Sequence, residues 1–379
     1  MPLFIEVMSD GTLGERAIAA IAKYFTKAGA GVPRPAYVPA ALTATYSRPV
    51  FNAESPKLLT AREKIARARA GIADCEVVLG PGDSKNEGAG VQPFAGMQSV
   101  AGQLRRLLGA VEGFLQATAP AWDDRWTVAG MNVPAERSRI GLIPITPGDA
   151  GVKSAQVVTS DPHTGAKFHV RAPAGATVTL TVDGATSTVT LTAQAGWQPV
   201  NATDLANTTH TLKVSSTADI EVLGVTLTYP TPRLKISRAA RSGSNAADWL
   251  PDAVYENWAS VITGPATIPD VIIANIGTND PGVTANITAL YASLAGLGIP
   301  VIATVPGGLG GHQAHSVYEP AFAAIYQAAQ THDMPLIDLE QVIGDYVAAA
   351  AALLMADTIH ENLRGYLLEA LALYALLVG

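Results

Sequence analysis

Short apolar runs, each ending in a loop of small polar residues and followed by a stretch of helical periodicity, recur in two separated parts of the chain. The first is EVVLG at 76–80, leading into Pro81-Gly82-Asp83-Ser84 and then the amphipathic stretch MQSVAGQLRRLLGAVEGFL at 97–115. The second group begins near residue 233 with RLKISRA, DVIIANIG, IPVIATVP and MPLIDL, and helical stretches near 246–259, 284–297 and 316–331 lie between or beside them. Apolar strands buried on both faces and alternating with helices predict a parallel sheet with right-handed crossovers. Counting EVVLG, the sheet has about five strands.

Between these parts the rhythm changes. From about 117 to 232 the apolar residues alternate with Thr, Ser and Lys in FHVRA, ATVTLTV, STVTLTA, HTLKVSS and IEVLGVTLTY. Period-two alternation bounded by turn residues predicts an antiparallel β-sandwich, and Asp183-Gly184 between two such runs predicts a tight hairpin. The chain thus divides into an amino-terminal arm or docking segment (1–74), a first α/β part (75–116), an inserted, jelly-roll-like β domain (117–232) and a second α/β part (233–379). The arm carries a helical stretch at 14–29, a Pro-rich passage at 32–42 and a second helix over 58–73. The longest apolar run, VAAAAALLMA at 347–356, predicts a buried helix, being far short of a bilayer span.

Composition narrows the function classes. Of 379 residues 48% are hydrophobic and 15% charged, enough for a large core and unlike a disordered chain. The net charge of -7, with no basic tract, argues against a nucleic-acid partner. The single cysteine, Cys75, excludes an internal disulfide and a cysteine-based metal cage, and predicts a small buried hydrophobe at a strand start. No signal peptide or membrane insertion is expected, because Asp and Glu interrupt the first apolar residues.

The loops behind the predicted strands hold most of the chemically useful residues. Ser84 follows EVVLGPGD, Gly243 lies in Arg241-Ser242-Gly243-Ser244-Asn245, Asn279 in Gly277-Thr278-Asn279-Asp280, and Asp357 stands three residues before His360 ahead of a predicted helix. A serine hydroxyl becomes a nucleophile when a histidine takes its proton, and a carboxylate orients that histidine. A glycine NH and an asparagine amide, with the NH of Ser84 itself, suit a developing oxyanion. Asp83 and Asp280 read as loop-fixing carboxylates.

These four blocks in this order resemble the SGNH hydrolases, also called GDSL esterases and lipases, over roughly residues 75–116 and 233–379. The resemblance implies Ser84 as nucleophile and oxyanion donor, Gly243 and Asn279 as further donors, His360 as base and Asp357 as its orienting acid. It also implies a three-layer α/β/α sheet and catalysis with no cofactor and no metal. Lys85 and Asn86 depart from the small or apolar residue and Thr usual after the serine, which bears on substrate preference. Members with a β-sandwich beside the sheet include carbohydrate esterases and phage-associated proteins. The expected activity is hydrolysis of a short acyl ester, most naturally O-acetyl, on a carbohydrate such as a cell-surface polysaccharide. A long-chain ester hydrolase or lipase, or a non-catalytic glycan-binding phage tail protein, stays open. The stretch AREKIARARAGIADCEVVLGPGDS at 61–84 resembles what precedes the serine in phage-encoded members, and a virion tail or a homo-oligomer is the expected partner of the segment 1–74.

Other polar features read less sharply. His312 and His315 have metal-like spacing but lack further ligands, and Pro306 to Gly311 lacks the Lys-Ser/Thr ending of a phosphate loop. Trp122, Trp126 and Trp197 are either sandwich core or sugar-stacking platforms, the core being the commoner case.

Overall fold

The structure, a computed structural model, describes residues 46–47, 50–92, 94–117, 123–132, 146–147, 151–191, 197–250 and 269–379. The helical stretch at 14–29, the Pro-rich passage at 32–42, Trp122 and most of the stretch expected at 246–259 lie outside them. Strands β1 (Tyr46–Ser47) and β2 (Val50–Phe51) precede α1 (Pro56–Arg69), which leads to β3 (Cys75–Gly82). Next come α2 (Ser84–Glu87), α3 (Ala95–Gln98), α4 (Val100–Leu108), β4 (Val111–Glu112) and β5 (Phe114–Gln116). The β-rich stretch supplies β6 (Trp126–Ala129), β7 (Met131–Asn132), β8 (Thr146–Pro147), β9 (Lys153–Val158) and β10 (Gly165–Arg171). It continues with β11 (Thr177–Val182), β12 (Ala185–Thr190), β13 (Gln198–Ala202), β14 (Thr211–Ser216) and β15 (Glu221–Thr228). The chain returns through β16 (Leu234–Ala240), β17 (Val271–Asn275), α5 (Thr284–Ala295), β18 (Val301–Val305) and α6 (Glu319–Thr331). It closes with β19 (Leu336–Asp338), α7 (Glu340–Ile343), α8 (Tyr346–Ala351) and α9 (Leu363–Val378).

One mixed sheet runs in the order β1-β2-β19-β18-β17-β3-β16-β4. The five expected strands are all present and parallel; β4 extends the parallel set beyond β16, and β1 and β2 add an antiparallel edge beyond β19. Side chains of these strands alternate between two cores, as the pleat demands. Val78, Ile272, Ala274, Val301 and Ala303 face one cluster with Leu290 of α5 and Phe322 of α6. Val77, Leu79, Ile273 and Ile302 face another with Ile65 of α1, Leu104 of α4 and Leu373 of α9. The architecture is therefore α/β with helices on both faces. Cys75 is buried in the second core, and its thiol is pushed up to about 12, chiefly by burial. The pairing of β3 with β16 on one side and β17 on the other opens a crevice at the carboxyl ends of these strands, where ligands of such sheets bind.

The β-rich stretch forms two antiparallel sheets, β13-β10-β15-β5 and β12-β11-β14-β9-β6. Phe168, Val200 and Val225 of the first share a single core with Trp126, Val157, Leu180 and Val214 of the second. The expected hairpin is present: Val182 pairs with Ala185, with Asp183 and Gly184 at φ +48° and +90°, the two positive φ values of a type I′ turn.

Three local expectations differ from what folds. The stretch 97–115 is helical only to Leu108; Gly109 caps α4 at φ +65°, and Val111–Glu112 pairs with β16 instead. Helix α8 covers six residues and buries only Ala349, while Val347 and Leu353 are 73% and 67% exposed; a run of alanines has helix propensity but little area to bury. Of the segment read as an arm, residues 50–69 are built into the main sheet and its helical layer, where Leu58, Ala61, Ile65 and Ala68 are buried.

Candidate active site

All eight residues of β3 are buried, and the strand ends against α2. Asp83 caps that helix, its Oδ1 accepting the Lys85 NH at 2.9 Å, and Ser84 is the first helical residue. The NH groups of a first turn have no helical acceptor, and that of Ser84, at the start of α2, is one of them. A Cβ on Gly82 would lie 2.6 Å from Asn86 Cβ; glycine is what lets the helix fold back so closely over the strand end. Ser84 is 4% exposed.

His360 arrives from the other end of the chain. Its Nε2 lies 2.9 Å from Ser84 Oγ and its Nδ1 2.7 Å from Asp357 Oδ2. Asp357 Oδ1 accepts the NH groups of Ile359 and His360, each at 2.7 Å, so one short turn fixes carboxylate and ring together. Burial acts to raise the Asp357 pKa, but hydrogen bonds from the His360 ring and both NH groups outweigh it and hold the carboxyl below its ordinary value. Asn362 ends the turn: its Oδ1 caps α9 through the NH of Arg364 at 2.9 Å, and its Nδ2 donates to the Leu353 carbonyl at 2.9 Å. Serine, imidazole and carboxylate form a continuous hydrogen-bonded line. A surface cleft of about 390 Å³ opens beside Asp357, lined by Tyr346, Leu353, Met355 and Thr358 among others.

Gly243 and Asn279 sit on the loops that follow β16 and β17. Gly243 has φ +74°, a left-handed conformation that favours glycine. Asn279 Nδ2 donates to the Ser244 carbonyl at 2.9 Å, and Asp280 Oδ1 accepts the Ala246 NH at 2.9 Å. The same loop is tied to the serine strand, since Ser244 Oγ and the Arg241 NH both donate to the Gly82 carbonyl, at 3.1 and 3.0 Å. Asp83 and Asp280 thus brace loops, as expected from the sequence. Burial is the first cause of the rise in both; Asp280 is pushed up to about 7.

Lys85 and Asn86 do not line a substrate surface. Lys85 is 0% and Asn86 1% exposed; Asn86 Oδ1 accepts from Asn275 Nδ2 at 3.0 Å, and the Lys85 ammonium is ion-paired with Glu361. Burial works to lower the Lys85 pKa, but Glu361 and Glu369 outweigh it and the ammonium is held above its ordinary value. Glu361 escaped the sequence reading, and its only signal was its position directly after His360. His315 donates no ligand pair with His312; its Nε2 lies 2.8 Å from Glu340 Oε1 and its ring packs edge-on against Phe322, while His312 is exposed. Trp126 is sandwiched in the antiparallel core, and Trp197 is half-buried with the Arg171 guanidinium 4.9 Å above its ring. Among the described residues no helix is long and apolar enough to cross a membrane.

No protein-family model and no curated protein matches the chain. Among solved structures it is similar to a peptidoglycan O-acetylesterase, at 14% identity and a TM-score of 0.62, over 83% of this chain and 94% of that one. That similarity shows a common fold. Two others, a family two carbohydrate esterase from Clostridium thermocellum (11% identity, TM-score 0.28, 66% of this chain and 96% of that one) and a Bacillus subtilis protein (14%, 0.32, 69% and 88%), are too distant in shape to bear on the argument.

Proposed function

We propose that this protein is a serine esterase of the SGNH type that removes a short acyl group, most naturally acetyl, from a carbohydrate. The observation that carries the reading is the unbroken line from Ser84 Oγ through His360 to Asp357, at 2.9 and 2.7 Å. In this mechanism His360 Nε2 takes the serine proton as Oγ attacks the ester carbonyl. Asp357 holds the ring by Nδ1 and stabilises the imidazolium. The NH groups of Ser84 and Gly243 and the amide of Asn279 receive the oxyanion. His360 then passes its proton to the departing sugar oxygen, leaving an acyl-serine. Water, activated by the same ring, attacks that ester and releases the acid and free Ser84. The substrate class draws support from the shared fold with an enzyme whose name states action on O-acetyl esters of peptidoglycan. We read the two antiparallel sheets as a β-sandwich inserted between β4 and β16, placed to hold glycan.

Release of p-nitrophenol across esters from acetyl to palmitoyl tests both parts of the reading. The acetyl ester is expected to turn over fastest, and Ser84→Ala to reduce turnover by about 10³-fold or more. A Ser84→Ala protein with wild-type turnover removes the nucleophile; a preference for palmitoyl removes the short-acyl assignment.

A further inference from the structure

The residue after the proposed nucleophile and the residue after the proposed base are both charged, and they are bonded to each other. Lys85 and Glu361 stand 276 residues apart, and their side chains are 0% exposed. The Lys85 ammonium is ion-paired with the Glu361 carboxylate and also donates to the Gly307 carbonyl at 2.8 Å. Three loops therefore meet at one cation. Gly308, at φ +69°, passes so close that a Cβ there would lie 2.8 Å from Glu361 Oε1, which accounts for a glycine at this position of the loop.

A further buried carboxyl lies near this pair. Glu369 of α9 is also fully buried, and its carboxyl has no hydrogen-bond partner among the described residues; burial first, then the Glu361 charge, raises its pKa well above the ordinary value. Among the described residues no backbone hydrogen bond joins 83–92 to 353–362. Side chains link the two segments, Ser84 to His360 and Lys85 to Glu361, and Tyr366 Oη, from α9 just beyond, donates to the Ala89 carbonyl at 2.5 Å; the backbones also approach closely, since a Cβ on Gly90 would clash with the Glu361 carbonyl. A buried ion pair is weak evidence for stability, since well-packed apolar residues often serve as well. It does impose a direction and a distance, which an apolar contact does not, and proton transfer between hydroxyl and imidazole requires both.

We propose that Lys85 and Glu361 are positioning residues whose buried ion pair sets the approach of Ser84 to His360. The proposal rests on the esterase reading above. The test compares Lys85→Met, Glu361→Gln and the double variant Lys85→Met/Glu361→Leu in the full chain. Each is assayed for kcat and KM on p-nitrophenyl acetate and for the rate of Ser84 labelling by a fluorophosphonate, with folding checked by circular dichroism. Each single variant is expected to lose about 100-fold in kcat and in labelling rate, the scale of an ångström misplacement, while KM stays within about twofold. The apolar double variant is expected to fold but to stay slow, which covers the case in which a single variant does not fold. A folded Lys85→Met or double variant with kcat within about threefold of wild type overturns the proposal.

The failure of the esterase reading looks different, namely a wild-type chain inert toward every ester and toward the fluorophosphonate. The positioning role is then read by NMR. The nitrogen-15 shift of His360 Nε2, the atom bonded to Ser84 Oγ, is expected to move in the double variant to the value found in Ser84→Ala, and a shift unchanged from wild type overturns the proposal.

Discussion

At the residue scale the candidate site is a set of hydrogen bonds between neighbours of matching chemistry. Asn279 illustrates this: one of its amide hydrogens is committed to the Ser244 carbonyl at 2.9 Å, which fixes the direction of the other. In the proposed esterase that second hydrogen meets the oxyanion. Asn279→Ala is expected to lower kcat by about 10² to 10³-fold with little change in KM, measured by steady-state kinetics on p-nitrophenyl acetate; a loss below threefold counts against the assignment. Ser84, His360 and Asp357 were legible as residue types at characteristic spacings. Lys85 and Glu361 were not, because nothing local distinguishes a charge that will be buried against a partner 276 positions away from one that will face solvent.

At the element scale the caps position the chemistry. Asp83 starts α2 beneath Ser84, and Asn362 starts α9 directly after the His360 turn. Asn362 also donates to the carbonyls of Leu353 and Met355, at 2.9 and 3.3 Å, so it clamps the loop that carries Asp357. Asn362→Ala is expected to destabilise the protein by about 1 to 2 kcal/mol, the usual range for a lost helix cap, in urea unfolding. It should also slow turnover through the loosened turn, and an unchanged midpoint would contradict the clamp. The strands of the main sheet and the Asp183-Gly184 hairpin could be read directly, since both follow from apolar periodicity and turn chemistry. The ends of the 97–115 stretch and the shortness of α8 could not. In the first, strand pairing of Val111 and Glu112 with β16 overrode a continuing helical pattern; in the second, alanines carried helix propensity without a surface to cover them.

At the scale of the whole molecule, the parallel sheet and the antiparallel sheets are joined by buried charge. Arg125, just before β6, pairs through Nη2 with Asp123 Oδ2 at 2.6 Å and through Nη1 with Glu112 of β4, and donates to Ser160 Oγ at 3.0 Å. Its side chain is only 13% exposed, and those of Asp123 and Glu112 less. Removing the cation strands the buried Asp123 carboxylate and leaves Glu112 to Arg105 alone, so Arg125→Met is expected to cost about 3 to 5 kcal/mol in denaturant unfolding. A cost under about 1 kcal/mol would mean that water screens the network.

The order of apolar runs and the four polar blocks determined, from sequence alone, that β3, β16, β17, β18 and β19 form a parallel sheet and which residues end its strands. Those signals are local: periodicity, turn residues and spacing along a few positions. Tertiary structure decided what depends on contacts between distant segments. It built residues 50–69 into the sheet, put β4 and β5 in different sheets two residues apart, and buried Lys85 against Glu361. The physical reason is that burial and pairing are properties of the partner as much as of the residue, and the partner is named only when the chain has folded.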